Sequence, residues 1–319
     1  MATNYLSPKE VAESSIGITS GKASLSIGKM LVLGFLAGAY IAFGALASTL
    51  VSHDLPLVGV GRLVTGMVFS AGLMMVLIGG AELFTGNILI WTGVLSGKVG
   101  VGAMLRNWFW VYVANFLGSL AVVAMMYYSG LWGTNNNMVG AYALKIAVGK
   151  CGLTFTSALM RGILCNWLVS LAVWMSWSCK DIVSKVFAVF FPITLFVAAN
   201  FEHSVANMYY IPAGLLLKAN PAMVDAAHLA DKVGVLTWHS FLINNLLPVT
   251  IGNILGAALF VASAYWFSYL KGAKAQAAAS PAVEGVGAAL VASAIANNCP
   301  VIKACPANNA MQELAGSKR

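Results

Sequence analysis

Six long stretches of this chain pass with almost no charged side chain, and that limits the fold more than any other feature. Met30–Ser52, Asn107–Leu144, Gly162–Cys179 and Val233–Leu270 carry no acid, lysine or arginine, Leu63–Gly93 carries only Glu82, and Val186–Leu217 carries only Glu202. A soluble domain usually has about 25% charged residues, whereas 18 basic and 10 acidic side chains here serve 319 residues. Such a chain cannot build a polar surface, and lipid removes the need for one. Each stretch is near or above the roughly 20 residues that a spanning helix requires. Alternation at period two is absent, which argues against a membrane barrel. Helices remain as the way to satisfy backbone hydrogen bonds in hydrocarbon. The expectation is an all-α integral membrane protein with six spans. Residues 1–29 form an N-terminal segment, 30–270 the membrane domain, and 271–319 an Ala-rich, flexible tail. Gly130–Gly140 reads as loop, the second half of Val233–Leu270 as its spanning part, and Val283–Ala296 as too short for a seventh span.

The formal charge of +8 comes from basic residues scattered singly between apolar runs, without the clusters and interleaved aromatics of a nucleic-acid surface. They read as topology signals. With the N-terminus inside, nine basic residues face inward and six outward, which favours both termini on the cytosolic side. Ser7-Pro8-Lys9-Glu10 reads as the start of a short amphipathic helix at the membrane surface. The first 29 residues lack a signal-peptide core and an Arg/Ser-rich transit composition. The cell membrane is therefore expected, with the chloroplast envelope as the alternative. None of the five cysteines forms a CxxC pair or stands at zinc spacing with His. No metal site or cofactor is expected, and no catalytic triad, carboxylate pair or nucleotide fingerprint suggests an enzyme.

Two of the spans share an interruption. Glu82 precedes Asn87 with four residues between them, and Glu202 precedes Asn207 in the same way, 120 positions on. Asn107, Asn115 and Gly118 in the third span match Asn245, Asn253 and Gly256 in the sixth, each 138 positions on. Three spans repeated as three spans must be inverted in the membrane, because an odd number flips the second copy. Inverted repeats with broken helices near the midplane are a common transporter design. The second and fifth helices are the expected broken ones.

Chemistry can reside in few places. Glu82 and Glu202 are the acids of the spans, and a carboxylate in lipid must face protein or water. Each is either an ion-coordinating or proton-relay acid, or a structural acceptor that locks the helix break together with Asn87 or Asn207. The structural role is favoured, because Glu stands at the same place in both copies. His203 follows the second Glu where Leu83 follows the first. It is either a satisfied core residue or, at a helix break, part of a pathway, and imidazole changes charge near neutral pH. Thr85 and Asn166 either bind His203 or a substrate, or join helices. Leu73, Leu83 and Phe196 are core or lipid-facing residues, or narrow apolar gates if they face a pore. Lys150 is a solvated loop charge, or a cation that draws anions to a pore mouth.

These residues also carry a resemblance. Gly80-Ala-Glu-Leu-Phe-Thr-Gly-Asn87 and Phe201-Glu-His-Ser-Val-Ala-Asn-Met208 resemble the two signature segments of the formate/nitrite transporter family. Arg161-Gly-Ile-Leu-Cys-Asn-Trp167 and Asn245-Leu-Leu-Pro-Val-Thr-Ile-Gly-Asn253 fit as well, and the likeness runs from about Leu6 to Leu270. It implies a homopentamer of aquaporin-like protomers, each with its own pore. It implies that Thr85, Asn166 and His203 line a central chamber, that Leu73, Leu83 and Phe196 form constrictions, and that Lys150 is the vestibule lysine. The tail and the Ala-rich style are similar to green-algal members. The implied partners are small monovalent anions, protons and the bilayer. A neutral-solute channel of aquaporin type is the alternative, but Asn87-Ile88 and Asn207-Met208 stand where Asn-Pro-Ala would. Bicarbonate and hydrosulfide would fit the same kind of pore.

Overall fold

A computed structural model describes residues 5–272. The expected tail over 271–319, with Val283–Ala296, therefore lies almost wholly outside the described residues.

Helix α1 (Pro8–Ala23) opens with a reciprocal cap. The Ser7 backbone N–H donates to Glu10 Oε2 at 2.7 Å, and the Glu10 N–H donates to Ser7 Oγ at 3.4 Å, which satisfies donors that a helix start leaves open. Hydrogen bonds from the Ser7 hydroxyl and backbone hold the Glu10 carboxyl below its ordinary range. Helices α2 (Ile27–Ser52) and α3 (Val58–Gly79) follow, then two short pieces, α4 (Phe84–Asn87) and α5 (Ile90–Leu95), and the long α6 (Val101–Tyr128). Helix α7 (Met138–Cys151) comes next, then α8 (Phe155–Ser178), α9 (Ile182–Ala198), α10 (Ser204–Leu217) and the short α11 (Pro221–Ala226). The last, α12, runs from Ser240 to Tyr269 and contains two π-helical stretches, Ser240–Leu246 and Ala258–Ser263.

Among the described residues, five helices, α2, α3, α6, α8 and α12, are long and apolar enough to cross a membrane. The expected fifth span, Val186–Leu217, consists of two shorter helices, α9 and α10. The end of the expected third span is a separate helix: α7 begins after the Asn-rich turn and carries Tyr142 and Lys150, so Lys150 stands in a last helical turn rather than in a loop.

The packing pairs repeat along the chain. Helix α2 packs on α6 and α3, and α8 packs on α12 and α9, while α3 and α9 meet. Close approach at these contacts needs glycine. A Cβ at Gly118 would strike the Phe35 carbonyl of α2, and one at Gly256 would strike the Ile163 carbonyl of α8. Small residues let membrane helices approach to backbone contact, where dispersion and weak hydrogen bonds substitute for a hydrophobic drive.

Gly118→Leu should therefore destabilise the detergent-solubilised protein by about 2–3 kcal/mol through overpacking. Gly17→Ala in α1, where a Cβ meets nothing within 4 Å, should cost nothing. Thermal unfolding followed by circular dichroism checks the pair, and equal midpoints for Gly118→Leu and wild type would refute the close contact.

Candidate functional site

Helix α3 ends at Gly79 because Gly80 turns left-handed, with φ 79° and ψ 36°. Asn200 takes the corresponding turn after α9, with φ 60°; Asn is among the few side-chain-bearing residues that tolerate this region. The chain then runs extended for a few residues before α4 in one case and α10 in the other. Those residues lie deep among the helices. Their backbone groups, outside any helix, therefore need partners.

The partners match almost bond for bond. Asn115 of α6 donates to the Glu82 carbonyl at 3.0 Å and to the Gly34 carbonyl at 2.7 Å, and its Oδ1 accepts from the Phe84 N–H at 2.9 Å. Asn253 of α12 donates to the Glu202 carbonyl at 3.0 Å and to the Gly162 carbonyl at 2.8 Å, and accepts from the Ser204 N–H at 2.9 Å. The carboxylates are clamped likewise. Lys22 Nζ donates to Glu82 Oε1 at 2.7 Å, and Asn87 donates to Glu82 Oε2 at 2.7 Å and to Asn107 Oδ1 at 2.9 Å. Lys150 Nζ donates to Glu202 Oε1 at 2.9 Å, and Asn207 donates to Glu202 Oε2 at 2.7 Å and to Asn245 Oδ1 at 2.7 Å. Asn107 and Asn245 close the loops by donating to the Lys22 and Lys150 carbonyls. Two bonds differ. Lys22 also donates to Asn87 Oδ1 at 3.1 Å, whereas Asn207 Oδ1 is buried without a hydrogen-bond partner among the described residues. Asn245 also donates to Glu202 Oε2 at 3.3 Å, a bond that Asn107 does not make to Glu82.

Between the two clamps lies the pair that chemistry can use. His203 caps α10: its Nδ1 accepts from the Ala206 N–H at 3.1 Å, and its Nε2 lies 2.9 Å from Thr85 Oγ1. Because Nδ1 accepts, the neutral ring carries its proton on Nε2 and donates it to Thr85. The Thr85 hydroxyl keeps its own proton to offer elsewhere. Asn166 fixes this arrangement from behind, donating to the Thr85 carbonyl at 3.2 Å and to the Asn253 carbonyl at 2.8 Å.

One cavity reaches the His203 ring, and a second lies beside the residues that flank Thr85 in sequence. The first, of about 160 Å³, lies beside α7 and is lined by Lys150, Phe196 and His203 among others. The second, of about 30 Å³, lies beside α1 and is lined by Lys22, Leu73, Leu83 and Asn87 among others. Leu73, Leu83 and Phe196 are all buried, and the Phe196 and His203 rings lie 6.0 Å apart.

A model of the family described as formate/nitrite transporter matches residues 9–267. The chain belongs to that family. A probable formate transporter of Methanothermobacter thermautotrophicus is 39% identical over 289 residues, covering 85% of this chain and all of the relative. The formate channel FocA of Escherichia coli is 39% identical over 249 residues, 76% of this chain and 87% of its own length. A solved pentameric formate channel with formate bound superposes with a TM-score of 0.70 at 36% identity, covering 76% of this chain and 98% of that one. With its apolar helices, this family member is an integral, multi-pass membrane protein.

Of the singled-out residues of this family member, His203, Lys150 and Phe196 line the cavity beside α7, and Leu73, Leu83 and Asn87 line the cavity beside α1. Thr85, Asn166, Glu82, Glu202 and Asn207 line neither, and Asn166 meets the Thr85 backbone rather than the His203 ring. Lys22 was legible only as one basic residue among many. Its spacing to its carboxylate, 60 positions against 52 for Lys150 and Glu202, hid the equivalence.

Replacing one partner of a buried ion pair strands the other, at a cost of about 3 kcal/mol or more. Glu202→Gln should therefore lower the unfolding midpoint of the detergent-solubilised protein. Lys150→Met combined with Glu202→Leu should recover part of that loss, and a double variant less stable than the single would contradict the pairing.

Proposed function

We propose that this protein conducts small monovalent weak-acid anions, formate and nitrite foremost, across a bilayer, with a proton accompanying each anion. The observation that carries the reading is the buried His203–Thr85 hydrogen bond, whose imidazole lines one cavity together with Lys150, while Lys22 and Leu83 line a second. Formate channels and transporters among the relatives support the substrate class, and the pentameric neighbour supports a homopentamer. The matching clamps support an inverted repeat of three spans and three, in which α3 with α4–α5, and α9 with α10, are the broken second and fifth helices. In this reading Leu73 and Leu83 narrow the path on one side of the chamber and Phe196 on the other.

A naked anion moved into such an apolar passage loses several kcal/mol of solvation. Protonation removes that penalty. Carrying a proton onto an acid whose pKa lies three units below the ambient pH costs roughly 4 kcal/mol, the smaller of the two. The neutral His203 tautomer suits this step. It offers a donor chain through Thr85 without a fixed charge that would trap the anion, and water in the cavity beside α7 relays a proton taken up from the bulk, so that each water is reprotonated as it gives one up. Charging the ring would sacrifice the Ala206 cap, a loss of about 1 kcal/mol.

Stopped-flow measurements on proteoliposomes test this. Formate and nitrite should enter quickly, glycerol should not, and bicarbonate and hydrosulfide rates would rank the remaining candidates. His203→Phe should change formate flux at neutral pH by about tenfold, the effect of 1.4 kcal/mol on a barrier, and should alter its pH profile. Unchanged flux with an unchanged profile would reject the chamber, and rapid glycerol entry would favour the neutral-solute reading. The detergent-solubilised particle should weigh five 33.4 kDa protomers.

A further inference from the structure

The cavity beside α7 holds two cationic side chains, and they differ in what surrounds them. Lys150 is half-buried; its ammonium is paired to Glu202 and lies 5.4 Å from the centre of the Tyr210 ring. To an incoming anion that pair presents a dipole rather than a charge, and a dipole's field falls off faster with distance. Arg62 lies at the exposed end of the same cavity, with Thr65, Tyr142 and Asn200 beside it in the wall. Among the described residues no carboxylate stands within ion-pair distance of its guanidinium. Asp54, close by in sequence, lies against His53.

The position of Arg62 strengthens the contrast. It stands one turn into α3, which begins at Val58. Helix N-termini already carry partial positive charge, and basic side chains there stabilise the helix least. The same arrangement adds the helix field to the guanidinium and aims both at an anion. Burial sets the direction of travel: Arg62 is exposed, while Phe196 and His203 at the other end of the lining are almost wholly buried. The guanidinium is also a planar fork that meets two oxygens of one anion at once. Formate and nitrite each offer two such oxygens.

Resting on the anion-conducting reading above, we propose that Arg62 forms an outer anion-binding subsite, which captures a two-oxygen monovalent anion at the mouth before it passes Phe196. Lys150 then chiefly holds Glu202, while Arg62 sets the capture step. Fixed charge at a low-dielectric mouth raises local substrate concentration and on-rate steeply at low salt.

Initial rates of formate uptake into proteoliposomes, measured against concentration and against an impermeant salt, test the subsite. Arg62→Gln should raise KM by about tenfold at low ionic strength, with the larger part of the effect in KM rather than in the maximal rate. It should also flatten the salt dependence seen in wild type. Arg62→Lys should restore the salt dependence and only part of the KM, because the charge returns without the fork. An Arg62→Gln protein with wild-type KM and salt dependence would overturn the subsite while leaving the transport reading intact. So would a loss confined to the maximal rate that Lys does not rescue. A wild-type protein that passes no monovalent anion would overturn both.

Discussion

A helix that ends inside a membrane domain exposes backbone groups where no water can satisfy them, and everything at the centre of this molecule answers that constraint. The answer is amide chemistry. Asn115 and Asn253 each take up one backbone N–H and two carbonyls beside the interruptions. An asparagine is suited to this because it offers two donors and an acceptor on a short, stiff arm. Glutamine would add a rotatable bond, and leucine would leave three backbone groups unmet, each at a cost of a few kcal/mol. The carboxylates of Glu82 and Glu202 form the outer part of the same answer. They hold the amides of Asn87 and Asn207, and lysines cancel their charge. In the described structure each of these carboxylates accepts from a lysine and from the asparagine five positions on.

That rigidity has a consequence for the His203–Thr85 pair. His203 is placed by its own backbone cap, so ring orientation and tautomer follow from the fold rather than from a ligand. Thr85 is placed from the opposite half of the chain, with Asn166 holding its carbonyl. The bond between their side chains joins segments 118 positions apart. Neither half could produce this pair alone. Asymmetry also enters here, because Leu83 follows Glu82 where His203 follows Glu202. One half supplies an apolar wall and the other supplies the imidazole.

Much of this was visible as spacing. Glu82 with Asn87, Glu202 with Asn207, and the three residues shared by the third and sixth spans all announced themselves, because a buried polar residue in an apolar run has few reasons to be there. Other features left no such trace. Lys22 lies in the amphipathic first helix, where a basic residue is ordinary, and only the fold carries it to Glu82. Helix α7 was masked by the Gly- and Asn-rich run before it, in which three consecutive asparagines adopt left-handed turns. Arg62 reads as one more topology signal until the lining of the cavity is known.

The sequence by itself settled the solvent, the helical class and the identity of the buried polar residues, since hydropathy and spacing act along the chain and need no partner. Pairing was decided by tertiary structure alone: which lysine neutralises which carboxylate, which nitrogen of His203 keeps its proton, and which cations share the cavity beside α7. Those outcomes depend on distances of about three ångströms between residues far apart in the chain, and only close helix packing at glycines such as Gly118 and Gly256 sets such distances.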